Sequence, residues 1–132
     1  MTRVMLDTNI VSQLVKRNEV VRSHIRATQA PACISIVTEG ELLYGLARRP
    51  DAKQLKFLVS QMLQRLEVLP WTRETAQTYG SLRAELERKG KTLAPLDLMI
   101  AAHAIAVDGI LATRDGAFAC VPGLQLVNWT VA

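Results

Sequence analysis

The chain has 132 residues, a length that suits one domain with a sizeable apolar core. Its residues are 49% apolar, and a net charge of +4 permits a polyanionic partner without requiring one. We find neither a signal-peptide pattern nor an apolar run long enough to cross a bilayer. Cys33 and Cys120 lack metal-type spacing, which is typical of reduced thiols inside cells. We therefore expect a single soluble, cytoplasmic domain over residues 1–132.

Short β-rich runs alternate with longer segments of helical spacing along the chain. In chain order, we predict strands at 3–6, 33–36, 67–69, 110–113 and 124–128. The longer segments include an apolar stripe within 55–66, an amphipathic segment over 72–89 and a helix over 95–107 that is apolar nearly all round. This alternation predicts an α/β fold, with a central, mostly parallel sheet of about five strands flanked by helices on both faces.

Two carboxylates are expected at one edge of this sheet. Asp7 directly follows the first predicted strand, and Asp115 follows the fourth. Ligands of open α/β sheets bind outside the carboxyl ends of the strands, where both acids would emerge.

Each of four acids also has a purely structural interpretation. Asp7 suits the N-cap of a helix that begins near Ile10, and Asp115 precedes a glycine in a common turn dipeptide. Glu41 stands three residues after Thr38, in the pattern of a capping box with Thr38 as N-cap. Asp97 falls near the third position of a helix that begins at a proline, where an acid complements the helix dipole.

Taken together, the four acids favour a metal site. Two unit charges about 4 Å apart repel by roughly 4 kcal/mol at an effective dielectric near 20, and a divalent cation relieves this repulsion while the acids stay ionised. Oxygen-only ligands suit Mg²⁺ or Mn²⁺. Glu39 is two positions from Glu41 and faces elsewhere on a helix, so we expect Glu41 at the site and Glu39 towards solvent.

Four stretches resemble, in order, the PIN-domain ribonucleases, and in particular the VapC-type toxins of bacterial toxin–antitoxin pairs. They are MLDTNI, ISIVTEGELLYGLARR, PLDLMIAAHA and LATRDGAF, and they extend across nearly the whole chain. The resemblance implies a PIN-like α/β/α sandwich and Mg²⁺- or Mn²⁺-dependent RNA cleavage. It also implies a cognate antitoxin that blocks the pocket, pairing as a homodimer, and a transfer RNA or ribosomal RNA target.

Carried across by motif, the resemblance assigns catalytic and metal-binding roles to Asp7, Glu41, Asp97 and Asp115. Asn9 and Thr113 match positions that support or border such a site. Arg114 departs from the pattern, since many relatives have a small polar or acidic residue there. It would either contact a phosphate or pair with a neighbouring carboxylate. Basic candidates for RNA contact are Arg48, Arg49, Arg83, Arg88, Lys89 and Lys91, although several of them also suit ion pairs along helix faces.

Two other functions are compatible with the pattern. A metal-dependent phosphatase or phosphotransferase could use Asp7 as its nucleophile, although such enzymes usually have a second carboxylate two residues later and this chain has Asn9. A non-catalytic module could use the acids only as helix caps and its basic faces to bind nucleic acid or protein. Neither His24 nor His103 is well placed for a metal-independent ribonuclease.

Overall fold

A computed structural model of the chain describes residues 2–132. Its centre is a five-stranded sheet in which every neighbouring pair is parallel, in the order β3-β2-β1-β4-β5. The strands are β1 Val4–Leu6, β2 Ala32–Ser35, β3 Glu67–Leu69, β4 Ile110–Ala112 and β5 Gln125–Val127. All five predicted strands are confirmed, with ends that differ by a residue at most.

Six α-helices connect the strands and cover the sheet. They are α1 Thr8–Val15, α2 Glu19–Ala27, α3 Ile36–Ala47, α4 Lys53–Arg65, α5 Arg73–Arg88 and α6 Pro95–Ala106. A 3-10 helix, Gly116–Cys120, follows β4. Helix α6 is largely buried, as its continuous apolar sequence predicted. Within residues 2–132, none of the helices combines the length and the apolar character needed to span a membrane.

The predicted three-layer α/β/α architecture is confirmed by two separate apolar cores. Successive residues of a strand point to opposite faces, so Val4 and Leu6 join one core while Met5 joins the other. The first core packs under α1, α2 and α4, and the second packs under α5 and α6. Helix α3 contributes to both cores through Leu42 and Val37, so it bridges the two layers.

The strand order reverses at β1. The chain runs outward from β1 through β2 to β3, and β4 then returns to the other side of β1. Leu6 pairs with Ala112 at the end of both strands, and the backbone N–H of Asp7 donates to the Ala112 carbonyl at 3.1 Å. The carboxyl ends of β1 and β4 therefore form the switch point at which parallel α/β sheets bind ligands.

Candidate active site

Asp7 stands at the switch point and is also a helix cap. The residue is only 6% exposed, and its Oδ1 accepts a hydrogen bond from the Ile10 backbone N–H at 2.9 Å. The helix that it caps begins at Thr8. The structural interpretation of Asp7 is therefore correct, but one carboxylate oxygen carries this cap and the residue remains available for a second role.

Thr113 and Asp115 follow β4 and face Asp7. The buried Thr113 side chain lies close enough to Asp7 to lower the pKa of that carboxyl, and its Oγ1 accepts from the Asp115 backbone N–H at 3.0 Å. Asp115 is exposed and caps the 3-10 helix, where its Oδ1 accepts from the Ala117 N–H at 2.9 Å. Thr113 therefore lies between the two predicted acids at the switch point.

Glu41 lies on α3, but the capping box predicted around it is wrong. Ser35, the last residue of β2, is the N-cap, and its Oγ accepts from the Val37 N–H at 3.0 Å. Helix α3 follows β2 without a loop, so it begins earlier than the Thr38 pattern suggested. Thr38 is consequently a fully buried helical residue, and Glu41 lies in the second turn.

The second-turn position brings Glu41 to the first turn of α1. Thr8 donates its hydroxyl to Glu41 Oε1 at 2.7 Å. Glu39 is half-buried, so the expectation that it faces open solvent is only partly met. Thr8 was not singled out from the sequence, although it lies inside the LDTN motif; its place directly after Asp7 was the only available signal.

Asp97 occupies the predicted place in the first turn of α6. Pro95 begins this helix, no side chain caps its N-terminus, and Asp97 is half-buried. A carboxylate in this turn lies close to backbone N–H groups that have no intrahelical partner. Helix α6 therefore provides a partly desolvated acid at the same edge of the sheet.

The acids lie close enough together for their charges to act on the pKa of Asp7 and of Asp97. Burial is the main cause that raises the pKa of Asp7, and the charges of Asp115 and Glu41 raise it further, against hydrogen bonds from Thr113 and Ile10 that lower it. Burial also raises the pKa of Asp97, followed by the charges of Asp115, Glu41 and Asp7. None of the four acids forms an ion pair with another side chain of residues 2–132.

The donor set suits a hard divalent cation, but its oxygens are not gathered around one point. Across residues 2–132, no three His, Cys, Asp or Glu side chains stand close enough to hold a common ion. Asp7, Glu41 and Asp115 each have an oxygen engaged by Ile10, Thr8 and Ala117 respectively. All-oxygen chemistry and uncompensated negative charge fit Mg²⁺-type binding, with side-chain rotation needed to close the site.

The other candidates lie around these acids in different ways. Asn9 is exposed on the first turn of α1, and Arg114 is exposed beside Asp115 without an ion pair in the described chain. His24 stacks on Trp129 far along the chain, at 5.8 Å between ring centroids. His103 is fully buried in α6 and hydrogen-bonds to Ser35. Neither histidine therefore joins the acidic group.

Comparison with known proteins identifies the family. The PIN domain model matches residues 4–124, nearly the whole chain. This chain belongs to the PIN-domain family. This chain is 34% identical to the tRNA(fMet)-specific endonuclease VapC of Salmonella typhimurium, over 98% of this chain and 99% of that protein. It is 32% identical to ribonuclease VapC2 of Haemophilus influenzae, again over 98% and 99% of the two chains.

Solved structures agree with this assignment. This chain superposes with a TM-score of 0.91 on a chain of VapBC2 from Rickettsia felis bound to a promoter DNA fragment. The two are 32% identical, and the match covers 97% of this chain and 99% of that chain. A chain of DNA-bound VapBC from Salmonella typhimurium gives a TM-score of 0.92 at 34% identity, over 98% and 99%. The PIN-like sandwich expected from the sequence is therefore confirmed.

Proposed function

We propose that this PIN domain is a metal-dependent endoribonuclease and the toxin of a toxin–antitoxin pair. The observation that carries the proposal is the placement of Asp7 and Asp115 after the paired strands β1 and β4 at the switch point, where negative charge also acts on Asp97. Full-length similarity to VapC ribonucleases supports RNA as the substrate, and the tRNA specificity of the Salmonella relative supports a transfer RNA. The cytoplasm is the compartment in which such a target is found.

The proposed cation is Mg²⁺ or Mn²⁺, held by Asp7 and Asp97 with Glu41 and Asp115. A bound divalent cation would supply an activated water and stabilise negative charge that develops on the phosphodiester. Asp7 is the most buried of the four, and its N-cap hydrogen bond to the Ile10 N–H orients the side chain. Asp115, on the exposed turn after β4, is the acid best placed to move on binding.

Chain residues next to the acids would bind and orient the RNA. We assign a phosphate contact to Arg114, because it is exposed beside Asp115 and forms no ion pair within residues 2–132. A cavity of about 240 Å³ lies between α5 and the start of α6, and its lining includes Tyr79, Arg83, Glu87, Lys91 and Pro95. The Tyr79 ring and the Lys91 ammonium in this lining suit an unpaired nucleotide, although Arg83 there is already paired with Glu87.

Protein partners are also part of the proposal. The VapBC structures similar to this chain are toxin–antitoxin complexes, which supports a cognate antitoxin. Helix α3 exposes a stripe without charge, at Ile36, Gly40, Leu43 and Ala47, and exposed Tyr44 lies beside it. Exposed apolar patches of this kind mark protein interfaces, and we assign this stripe to a homodimer.

Cleavage of total cellular RNA by the pure protein tests the proposed activity. We expect cuts at a small number of sites in Mg²⁺ or Mn²⁺, with 5′-phosphate and 3′-hydroxyl ends, and no cutting in the presence of a chelator. Asp97→Asn, which keeps the side-chain volume, should reduce cutting at least 100-fold, whereas Asp51→Asn in the exposed turn after α3 should not. Cutting that persists in chelator would overturn the proposal.

A phosphatase that uses Asp7 as nucleophile is the competing enzyme. It would leave an acyl-phosphate on Asp7, so mass spectrometry of protein incubated with acetyl phosphate separates the two readings. We expect no phosphorylated Asp7, and a stable adduct there would favour the phosphatase.

A further inference from the structure

A buried polar contact lies outside the acidic group, between α6 and the start of α3. His103 Nδ1 and Ser35 Oγ are 2.6 Å apart, and both residues have no exposed surface. Ser35 Oγ also accepts the capping hydrogen bond from Val37. The hydroxyl that begins α3 is thus joined directly to a side chain of α6.

Two further features surround the His103 ring: an aromatic side chain packs against it, and its second nitrogen lacks a hydrogen-bond partner among residues 2–132. Trp71, just after β3, packs edge-on against the ring at 5.6 Å between centroids. Nε2 is buried without a hydrogen bond of good geometry, although the Pro70 carbonyl is close enough to oppose the fall in pKa that burial causes. A buried polar group with an unmet hydrogen bond destabilises a folded protein. An apolar side chain would fill this position more favourably, so core filling does not explain a histidine here.

The Ser35–His103 contact lies at the same sequence distance from an acid on α3 and on α6. Glu41 lies six residues after Ser35 on α3, and Asp97 lies six residues before His103 on α6. Six helical residues rise by about 9 Å. Helices α3 and α6 pack against each other, and the charge of Glu41 acts on Asp97. The Ser35–His103 contact therefore anchors both helices at a similar distance from their acids.

We propose that His103 is a positioning residue, which fixes α6 against the N-cap of α3 and thereby sets the separation of Asp97 and Glu41. The inference rests on the proposed function, because it concerns the same four acids. His103 itself touches none of them and takes no proton in the reaction. Buried, directional polar contacts of this kind select one arrangement of neighbouring elements where apolar packing alone would accept several.

Two amide substitutions distinguish the two ring nitrogens. The amide of His103→Asn reaches the place of Nδ1 and can still bond to Ser35, whereas the amide of His103→Gln extends to the place of Nε2. His103→Leu removes both nitrogens. Val21→Ala, in the core beneath α2, is a control for general loss of stability, because α2 carries none of the acids.

The readout is Mn²⁺ binding, followed without RNA by electron paramagnetic resonance of the free ion, together with thermal unfolding. We expect His103→Leu and His103→Gln to weaken Mn²⁺ binding about 10- to 100-fold, as losses of groups that orient metal ligands do. His103→Asn should stay within about threefold of the wild-type chain, and Val21→Ala should lower the unfolding temperature without weakening Mn²⁺ binding.

Three results would overturn the inference. They are equal Mn²⁺ binding by His103→Leu and the wild-type chain, equal weakening in the Asn and Gln variants, and weakening in Val21→Ala that matches its loss of stability. Wild-type cleavage in the same preparation separates this inference from the proposed function. If the wild-type chain cuts RNA and binds Mn²⁺ while the His103 variants all bind Mn²⁺ equally, only the role of His103 is wrong. If the wild-type chain neither cuts RNA nor binds Mn²⁺, both proposals are wrong.

Discussion

At the scale of single residues, the main feature is one side chain that both caps a helix and faces like charges. Asp7 satisfies the Ile10 N–H and at the same time lies near Asp115 and Glu41. Its raised pKa means that protonation is easier in the folded chain than in the unfolded chain. At neutral pH the ionised form therefore lowers the free energy of unfolding, and this destabilisation is lost as the pH falls through the raised pKa towards the ordinary value of an aspartate.

Asp7→Asn should separate activity from stability. Asparagine is as good an N-cap as aspartate, so the hydrogen bond to Ile10 is kept while the repulsion is removed. We expect RNA cleavage to fall at least 100-fold and the unfolding temperature to rise or stay equal, measured by gel assay and circular dichroism. Lost cleavage accompanied by a clearly lower unfolding temperature would show that Asp7 is needed mainly for folding.

The two cysteines should differ in reactivity. Burial raises the pKa of Cys33 to about 11, so at pH 8 only about one part in a thousand is thiolate. Cys120 is half-buried in the 3-10 helix. We expect Ellman's reagent to modify one thiol quickly in the folded protein and the second only on unfolding. The fast reaction should vanish in Cys120→Ser and persist in Cys33→Ser; the reverse pattern would contradict the placement of Cys33.

At the scale of elements, the sequence predicted strands better than helix starts. The five strands could be predicted because they are short β-branched and apolar runs between segments of helical period. The start of α3 could not be predicted, since Ser35 and Thr38 are both good N-caps and the local pattern contains an acid after each. The choice depends on where β2 ends in the sheet, through its pairing with β1 and β3. Long-range pairing of that kind is absent from a local pattern.

The contact between α1 and α3 gives a prediction at this scale. Thr8→Val keeps the side-chain shape but removes the hydroxyl that orients Glu41. We expect a loss of stability of about 1 kcal/mol and a 10- to 100-fold loss of cleavage, with both recovered in Thr8→Ser. Measured kcat and unfolding free energies would check this; full activity in Thr8→Val would show that Glu41 needs no such restraint.

At the scale of the whole molecule, topology gathers residues that are far apart in sequence. Asp7 and Asp115 meet because β4 returns beside β1, and the expectation that both emerge at one sheet edge follows from parallel pairing alone. The sequence could not predict the side-chain rotamers of the acids, because each acid can either accept a local hydrogen bond or turn towards a common cation. The buried Ser35–His103 contact was also hidden, as it joins residues 68 positions apart.

The exposed stripe of α3 predicts the state of assembly. We expect light scattering to give twice the mass of one 14.6 kDa chain. The Leu43→Asp variant should have the mass of a monomer, because a charge in an apolar interface is strongly unfavourable. Val131→Asp makes the same change at another exposed apolar residue and should leave the dimer intact. A dimer that survives Leu43→Asp would place the interface elsewhere.

Anomalous diffraction from crystals soaked in Mn²⁺ tests most directly whether the acids share one cation. We predict an anomalous peak at the switch point, within roughly 2.0–2.3 Å of oxygens from both Asp7 and Asp97, with Glu41 or Asp115 rotated towards it. The peak should be lost in Asp97→Asn. An ion bound only at other residues, or no peak near Asp7 at saturating Mn²⁺, would contradict the account.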